Sequence, residues 1–260
     1  MTPLKQSTLE EINESERQLV VDAEARYGKH YRHARACSVF LSRCIVSVEH
    51  DRLMFARFFA LMKKHHMLAL LSTVRLHKVQ SAMNLRQTLE AGAAAAFAIA
   101  NTELEHFAEI DEAGILGPSQ ELTAQRYKWL ATHFRAGSDA IKAKKDLINN
   151  AAAHANIVSA EQTFRIDEGG DRLDAPFFDL EDEYHVKADL WLASSIAIEL
   201  MDLLYGVNRD RNVIEFVPDF RAYMAVAIRT NAELHSEITS TERYKNAMEK
   251  MQRGVTTKSS

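Results

Sequence analysis

Residues 85–100 read LRQTLEAGAAAAFAIA. Alanine is the strongest helix former, and the stretch contains no proline, so it reads as one helix running from about Lys78 to Ala100. Arg86 and Glu90 stand one turn apart on it, just before the alanines, and can pair on one face. Met83, Ala94 and Phe97 flank the same stripe, which predicts that the pair is half buried against other helices. The alanines beyond it would let a neighbouring helix approach closely. A second small-residue stretch, KKDLINNAAAHANIVSAEQ, carries Asn150 and His154, again spaced i, i+4. Two such helices packed together would join the four polar groups. Two readings of that junction stay open: a satisfied buried network that fixes helix register, and a polar site between helices.

Working outward, the rest of the chain is also written for helices. Its 260 residues are 47% hydrophobic and 26% charged, with only 9 Gly and 4 Pro to punctuate strands and turns. Ser7 with Glu10 offers a capping box for a first helix reaching Tyr27, with Gly28 as a break. A helical pattern resumes near His30 and continues to His50, and Arg52 to Leu76 forms a strongly apolar helix. Gly114, Gly117 and Pro118 mark a break, after which Ser119 starts a helix to Phe134. Gly137 and Ser138 separate it from a helix beginning near Asp139. The stretch FRIDEGGDRLDAPFF alternates apolar and polar residues around Gly169-Gly170, the one β-hairpin signal in the chain. A long helix follows from about Glu181 to Tyr205, and Pro218 precedes the last. The expected fold is therefore all-α: a bundle of six to eight helices with one small β-hairpin near 164–178. A single domain would cover 1–253, with a disordered tail at 254–260.

Charge is uneven. Between Arg26 and Arg86 there are twelve Lys or Arg against two acids, and six of the eleven His. From Gln87 onward, 18 positive residues face 28 negative ones. The densest basic patch is RYGKHYRHAR, with Arg26, Lys29, His30, Arg32, His33 and Arg35; a second cluster holds Lys63 and Lys64. One reading is a phosphate-binding face, with Tyr27 and Tyr31 placed to stack on bases. The other is internal neutralisation, because Glu161 to Glu183 carries nine acids against two Arg and could dock on the basic half.

Several functional classes find no support. The N-terminal MTPLKQSTLEE is polar and acidic, unlike a signal peptide. The longest apolar run, near Ala91 to Ala100, is far short of the roughly 20 residues that span a bilayer, so the chain reads as cytoplasmic with no membrane partner. Cys37 and Cys44 would lie two helical turns apart, roughly 10 Å, too far to pair, and read as buried reduced thiols. There is no zinc-ligand pattern, no G-x-S-x-G, no Walker loop and no G-x-G-x-x-G, and a di-iron bundle would need more Glu-x-x-His motifs than Glu103 to His106 supplies. No metal or cofactor is expected.

An R-x-x-x-E on an Ala-rich helix, a later helix with a mid-helix His, then a hairpin and a long helix resembles uncharacterised bacterial proteins bordering the HEPN superfamily, including abortive-infection-like members. Arg86, Glu90 and His154, with the hairpin from Phe164 to Phe177, carry that resemblance over about half the chain. It implies a helical bundle, commonly dimeric, that binds or cleaves RNA in bacterial stress or phage defence. The implied chemistry is a metal-independent ribonuclease in which an Arg and a His, four to six residues between them, act on the 2′-hydroxyl and the scissile phosphate. Arg26/His33, Arg43/His50, Arg126/His133 and Arg229/His235 have that spacing, and only Arg229 is followed directly by a polar residue. The candidate catalytic set is thus His154, Arg86, Glu90 and Asn150, with Arg229 and His235. Before His154 the chain departs from the pattern: Leu147, Ile148 and Asn149 stand where the Arg is expected. The alternative is a catalytically inert helical module for oligomerisation or protein interaction, a homodimer or the partner of another protein.

Overall fold

The computed structural model describes residues 8–110, 112–152, 165–166, 173–174, 176–246 and 248–249. Helix α1 (Leu9–Arg43) opens on a capping box, but one residue later than expected: Thr8 Oγ1 accepts from Glu11 N at 3.2 Å, and Thr8 N donates to Glu11 Oε2 at 2.9 Å. At Gly28 the helix kinks rather than ends, with φ 54° and ψ −125°, a conformation that strains any residue with a side chain.

α1 stops at Arg43, not at His50. The next residues, Ile45–Val48, form strand β1, antiparallel to a later strand, Ile214–Phe216. Ile45, Val46 and Val48 are β-branched, which favours the extended chain. Val217 N donates to Cys44 O and Glu49 N to Val213 O, closing both ends of the pair.

Helices α2 (Leu53–Val74) and α3 (Lys78–Ala100) form a hairpin that turns at Leu76, φ 59°. Thr73 and Ser81 hydroxyls meet at 2.7 Å and His65 Nδ1 lies 2.8 Å from Asn84 Oδ1, stitching the two together. A 3-10 turn (Leu104–His106) and a short antiparallel pair, β2 (Glu109–Ile110) with β3 (Leu116–Gly117), lead to α4 (Gln120–His133), capped by Ser119 as expected. Helix α5 (Arg135–Ala152) begins at once, because the break falls at Phe134. Gly137 is therefore inside a helix. A Cβ on it would come within 2.8 Å of Leu203 Cδ1, so this glycine serves a close approach instead of a turn. The expected hairpin is present as β4 (Arg165–Ile166) and β5 (Leu173–Asp174). Then come α6 (Glu183–Asn208), β6 (Ile214–Phe216) and α7 (Phe220–Ser240).

The molecule is an all-α bundle with small β elements, and seven long helices lie among the described residues. Helix α6 is its axis, touching α1, α2, α3, α5 and α7. It is long and apolar enough to cross a membrane by length and composition, yet 67% of its most apolar window is buried by the other helices, as in a core helix. Leu190, Ile196, Leu200 and Leu204 are fully enclosed. His66 of α2 is also enclosed. Its Nε2–H donates to Ala193 O at 2.9 Å, leaving Nδ1 to accept from Ser38 Oγ at 2.9 Å. That satisfies a neutral imidazole and ties α1, α2 and α6 together.

Candidate functional site

The charged pair on α3 forms as read, with Arg86 Nε 3.2 Å from Glu90 Oε1. Its described partners are two that the sequence reading did not single out. Arg86 Nη1 donates to Asn149 Oδ1 at 3.1 Å, and Lys145 Nζ lies 3.0 Å from the same Glu90 oxygen. Lys145 also donates to Tyr127 OH at 3.1 Å and sits over that ring. Lys145 and Asn149, one turn apart on α5, face α3 here. The side chain of Asn150, and His154 altogether, lie outside the described residues. Burial works against the charge on Lys145, but Tyr127 and Glu90 outweigh it and hold the ammonium above its usual range. Every group in this seam is engaged, which suits it to locking α3, α4 and α5. With Glu90 32% exposed, Glu90→Ala should cost about 1 kcal/mol, read from the urea midpoint, because two cations lose one shared anion.

Lys144, next to Lys145, turns the other way. It pairs with Glu199 at 3.3 Å and lies 5.3 Å from the Trp191 ring centre.

The basic segment of α1 is not a continuous phosphate face. His30 and His33 point inward and are only 6% and 8% exposed. Burial keeps both imidazoles below their ordinary titration range, so they are neutral where a phosphate ligand would need charge. Lys29 is ion-paired with Glu237 of α7, and Arg32 lies 3.6 Å from Glu24. Arg26, Arg35 and Lys64 are exposed, while Lys63 is half buried over Phe59. The end of the acidic segment docks on the basic half: Glu181 pairs with Lys78, and Asp179 accepts from Lys78 N at 2.6 Å.

The Arg/His spacings do not assemble a couple. Arg126 donates to His106 O, whereas His133 bonds to Trp129 O. Arg229 and His235 lie on α7 six residues apart, about 120° round the helix, and His235 is stacked on Trp191 at 4.5 Å. Arg243 Nη2 does approach His185 Nε2 at 3.5 Å, but both side chains are committed to Asp182, the N-cap of α6. Cys37 lies 3.7 Å from His33, and burial pushes its thiol up to about 12, which leaves it protonated and unreactive. Among the described residues no group of three or more His, Cys, Asp or Glu is placed to hold a metal.

Sequence reasoning missed a cavity of about 290 Å³ between α3, α5, α6 and α7. Its body is apolar, from Leu85, Ile148, Leu192 and Ile238, and Tyr184, Trp191 and Tyr244 bring aromatic rings to it. His235 belongs to its wall. Its wall also holds Lys78 and Asp189, 3.7 Å apart, with Glu181 on the same ammonium. Burial pushes the Asp189 carboxyl up to about 7; Lys78 opposes that rise and Glu181 adds to it. A signal was available in part. Asp189 opens directly onto the apolar run Leu190-Trp191-Leu192-Ala193 of α6, where a carboxylate is costly unless it is paired or used.

No family model, curated protein or solved structure gives a significant match to this chain.

Proposed function

We propose that this chain is a HEPN-like helical protein that binds RNA or another polyanion without cleaving it, in bacterial stress or phage defence. The observation that supports binding is a set of cations on the adjacent helices α1 and α2. Arg26, Arg35, Arg43, Arg57 and Lys64 are exposed, and none is in an ion pair among the described residues. Such cations hold phosphates by charge, with little sequence preference. Against cleavage stands the engagement of Arg86 by Glu90 and Asn149, with no described histidine bonded to it. The test is fluorescence anisotropy with a labelled single-stranded RNA across a salt series, followed by a gel for cleavage with and without chelator. Binding should weaken steeply with salt while the RNA stays whole. Replacing Arg26, Arg35 and Arg43 by Glu should reduce the slope of log K against log salt by about 2, at roughly 0.7 for each phosphate left without its cation. Salt-independent binding, or none, would sink this reading.

The second reading, an inert oligomerisation module, has its own observation. Leu61 and Leu68 on α2 and Val79 and Met83 on α3 are 37–57% exposed on a single helical hairpin. If they form a homodimer face, Leu68→Glu with Met83→Glu should convert a dimer to a monomer by light scattering.

A further inference from the structure

The cavity beside α6 has the character of a small-molecule site. It is concave and mostly apolar, with Lys78 and Asp189 side by side in its wall, and its volume is near the lower limit of such sites, about 300 Å³. That pair decides which charge it accepts. Lys78 is the one Lys or Arg that lines it among the described residues, and that ammonium is already covered by Glu181, whose side chain is 2% exposed. The backbone N–H of Lys78 is taken by Asp179. Asp189, 3.7 Å from Lys78, is the carboxylate left under-neutralised, and it opens on the cavity. Three carboxylates around one ammonium would repel an anionic ligand and attract a cation. Two of the aromatic rings, Tyr184 and Trp191, are already covered by Arg243 at 5.0 Å and Lys144 at 5.3 Å, so the rings offer apolar surface and the preference for charge rests on the carboxylates.

We propose that this cavity binds a small hydrophobic ammonium ion, its apolar body among Leu85, Ile148, Leu192 and Ile238 and its nitrogen on the Asp189 carboxylate. The site is independent of the polyanion-binding face and stands or falls apart from it. Lys78 of α3 and Glu181 before α6 act on Asp189 directly, Asp179 holds the Lys78 backbone N–H, and Tyr184 on α6, with His235 and Tyr244 from α7 and the chain beyond it, line the same cavity. Among the described residues, helix α5 brings Leu147 and Ile148 to this wall. A cation arriving at Asp189 draws the carboxyl into its ionised form, so binding releases a proton wherever that carboxyl was protonated.

The test uses three probes with one apolar body, 1-naphthylmethylamine, 1-naphthylmethanol and 1-naphthoate, titrated calorimetrically into the full chain. The amine should bind at least tenfold more tightly than the alcohol, with naphthoate weakest. Because the carboxyl titrates at about 7 and the amine stays protonated throughout, amine affinity should rise about tenfold from pH 6 to pH 8. Asp189→Asn should remove both the preference and the pH dependence. The proposal is overturned if naphthoate binds as well as the amine, if amine affinity is flat with pH, or if none of the three binds. It is also overturned if the pH dependence survives in Asp189→Asn, since another group of the wall would then carry it. The probe comparison on the natural chain decides the matter even if that variant fails to fold.

Discussion

Gly92→Leu is expected to destabilise the protein by about 3 kcal/mol, at the upper end of ordinary overpacking costs. Gly92 lies in the middle of α3, where an alanine would normally improve the helix by about 1 kcal/mol. A Cβ at this position would meet Leu200 Cδ2 at 2.5 Å, Cδ1 at 2.9 Å and Cγ at 3.2 Å. The clash reaches the branch point of Leu200, so rotating its methyl ends does not relieve it. Leu200 is also fully buried on the central helix and has nowhere to retreat. Leu200→Ala alone should cost about 2–5 kcal/mol by leaving a cavity. Combining the two exchanges large for small across one contact, and should recover about 2 kcal/mol relative to the sum of the single effects. Urea unfolding of the four proteins gives that coupling directly. If the two effects add to within about 0.5 kcal/mol, the close approach of α3 and α6 is not what Gly92 provides.

Acidification is the second large effect. Burial lowers the pKa of His30, His33 and His66 from the ordinary value of 6.5, so unfolding binds protons that the native state refuses. A lowered value means stability is complete above 6.5 and is lost as pH falls through the folded values. Each such histidine contributes up to about 1.4 kcal/mol per pH unit. Two carboxyls oppose them. Burial raises Asp189, to about 7, and Glu199, and a raised carboxyl adds stability as pH falls through its folded value. Below about 6.5 the histidines and the carboxyls act in opposite directions, and each group contributes at most about 1.4 kcal/mol per pH unit. Asp189→Asn removes one opposing group, so stability should fall more steeply on acidification in that variant than in the natural chain. Urea midpoints from about pH 7.5 to about pH 5 read both slopes. A slope unchanged by Asp189→Asn would contradict the burial of that carboxyl.

Much of the fold is legible in the chain because helix periodicity and caps are local. Helix α3 occupies the span its alanines indicate, Ser119 caps α4, and the alternation around Gly169-Gly170 yields the pair Arg165–Ile166 with Leu173–Asp174. What escapes reading depends on distant partners. Ile45–Val48 is a short apolar run, equally compatible with helix and strand, and only Ile214–Phe216 across the bundle decides for the strand. Gly137 resembles punctuation until Leu203 gives it a neighbour. The α3 seam falls on the two helices expected, and Asn149, which the sequence reading passed over, takes part in it. Lys145 and Tyr127 are invisible in the sequence because no local pattern joins α4 to Glu90. His30 and His33 count as basic surface there because composition cannot tell the inner side of α1 from the outer. The cavity has four walls contributed by positions 78 to 244, and no single window of sequence contains it.

The placement of α6 at the axis also sets a timetable for synthesis. α1 leaves the ribosome first, and its neighbour α2, which covers Ser38 and packs near Ala34, follows within a few tens of residues. The same apolar cluster, which holds Tyr27, also takes Val186 and Leu190, so it waits for a helix that starts 140 residues after α1 ends. At the usual 5–20 residues per second, the interval is roughly ten to thirty seconds. For that time a nascent chain carries an apolar stripe with no cover. Slowing translation of α6 should therefore lengthen the window for chaperone capture and aggregation far more than slowing translation after it.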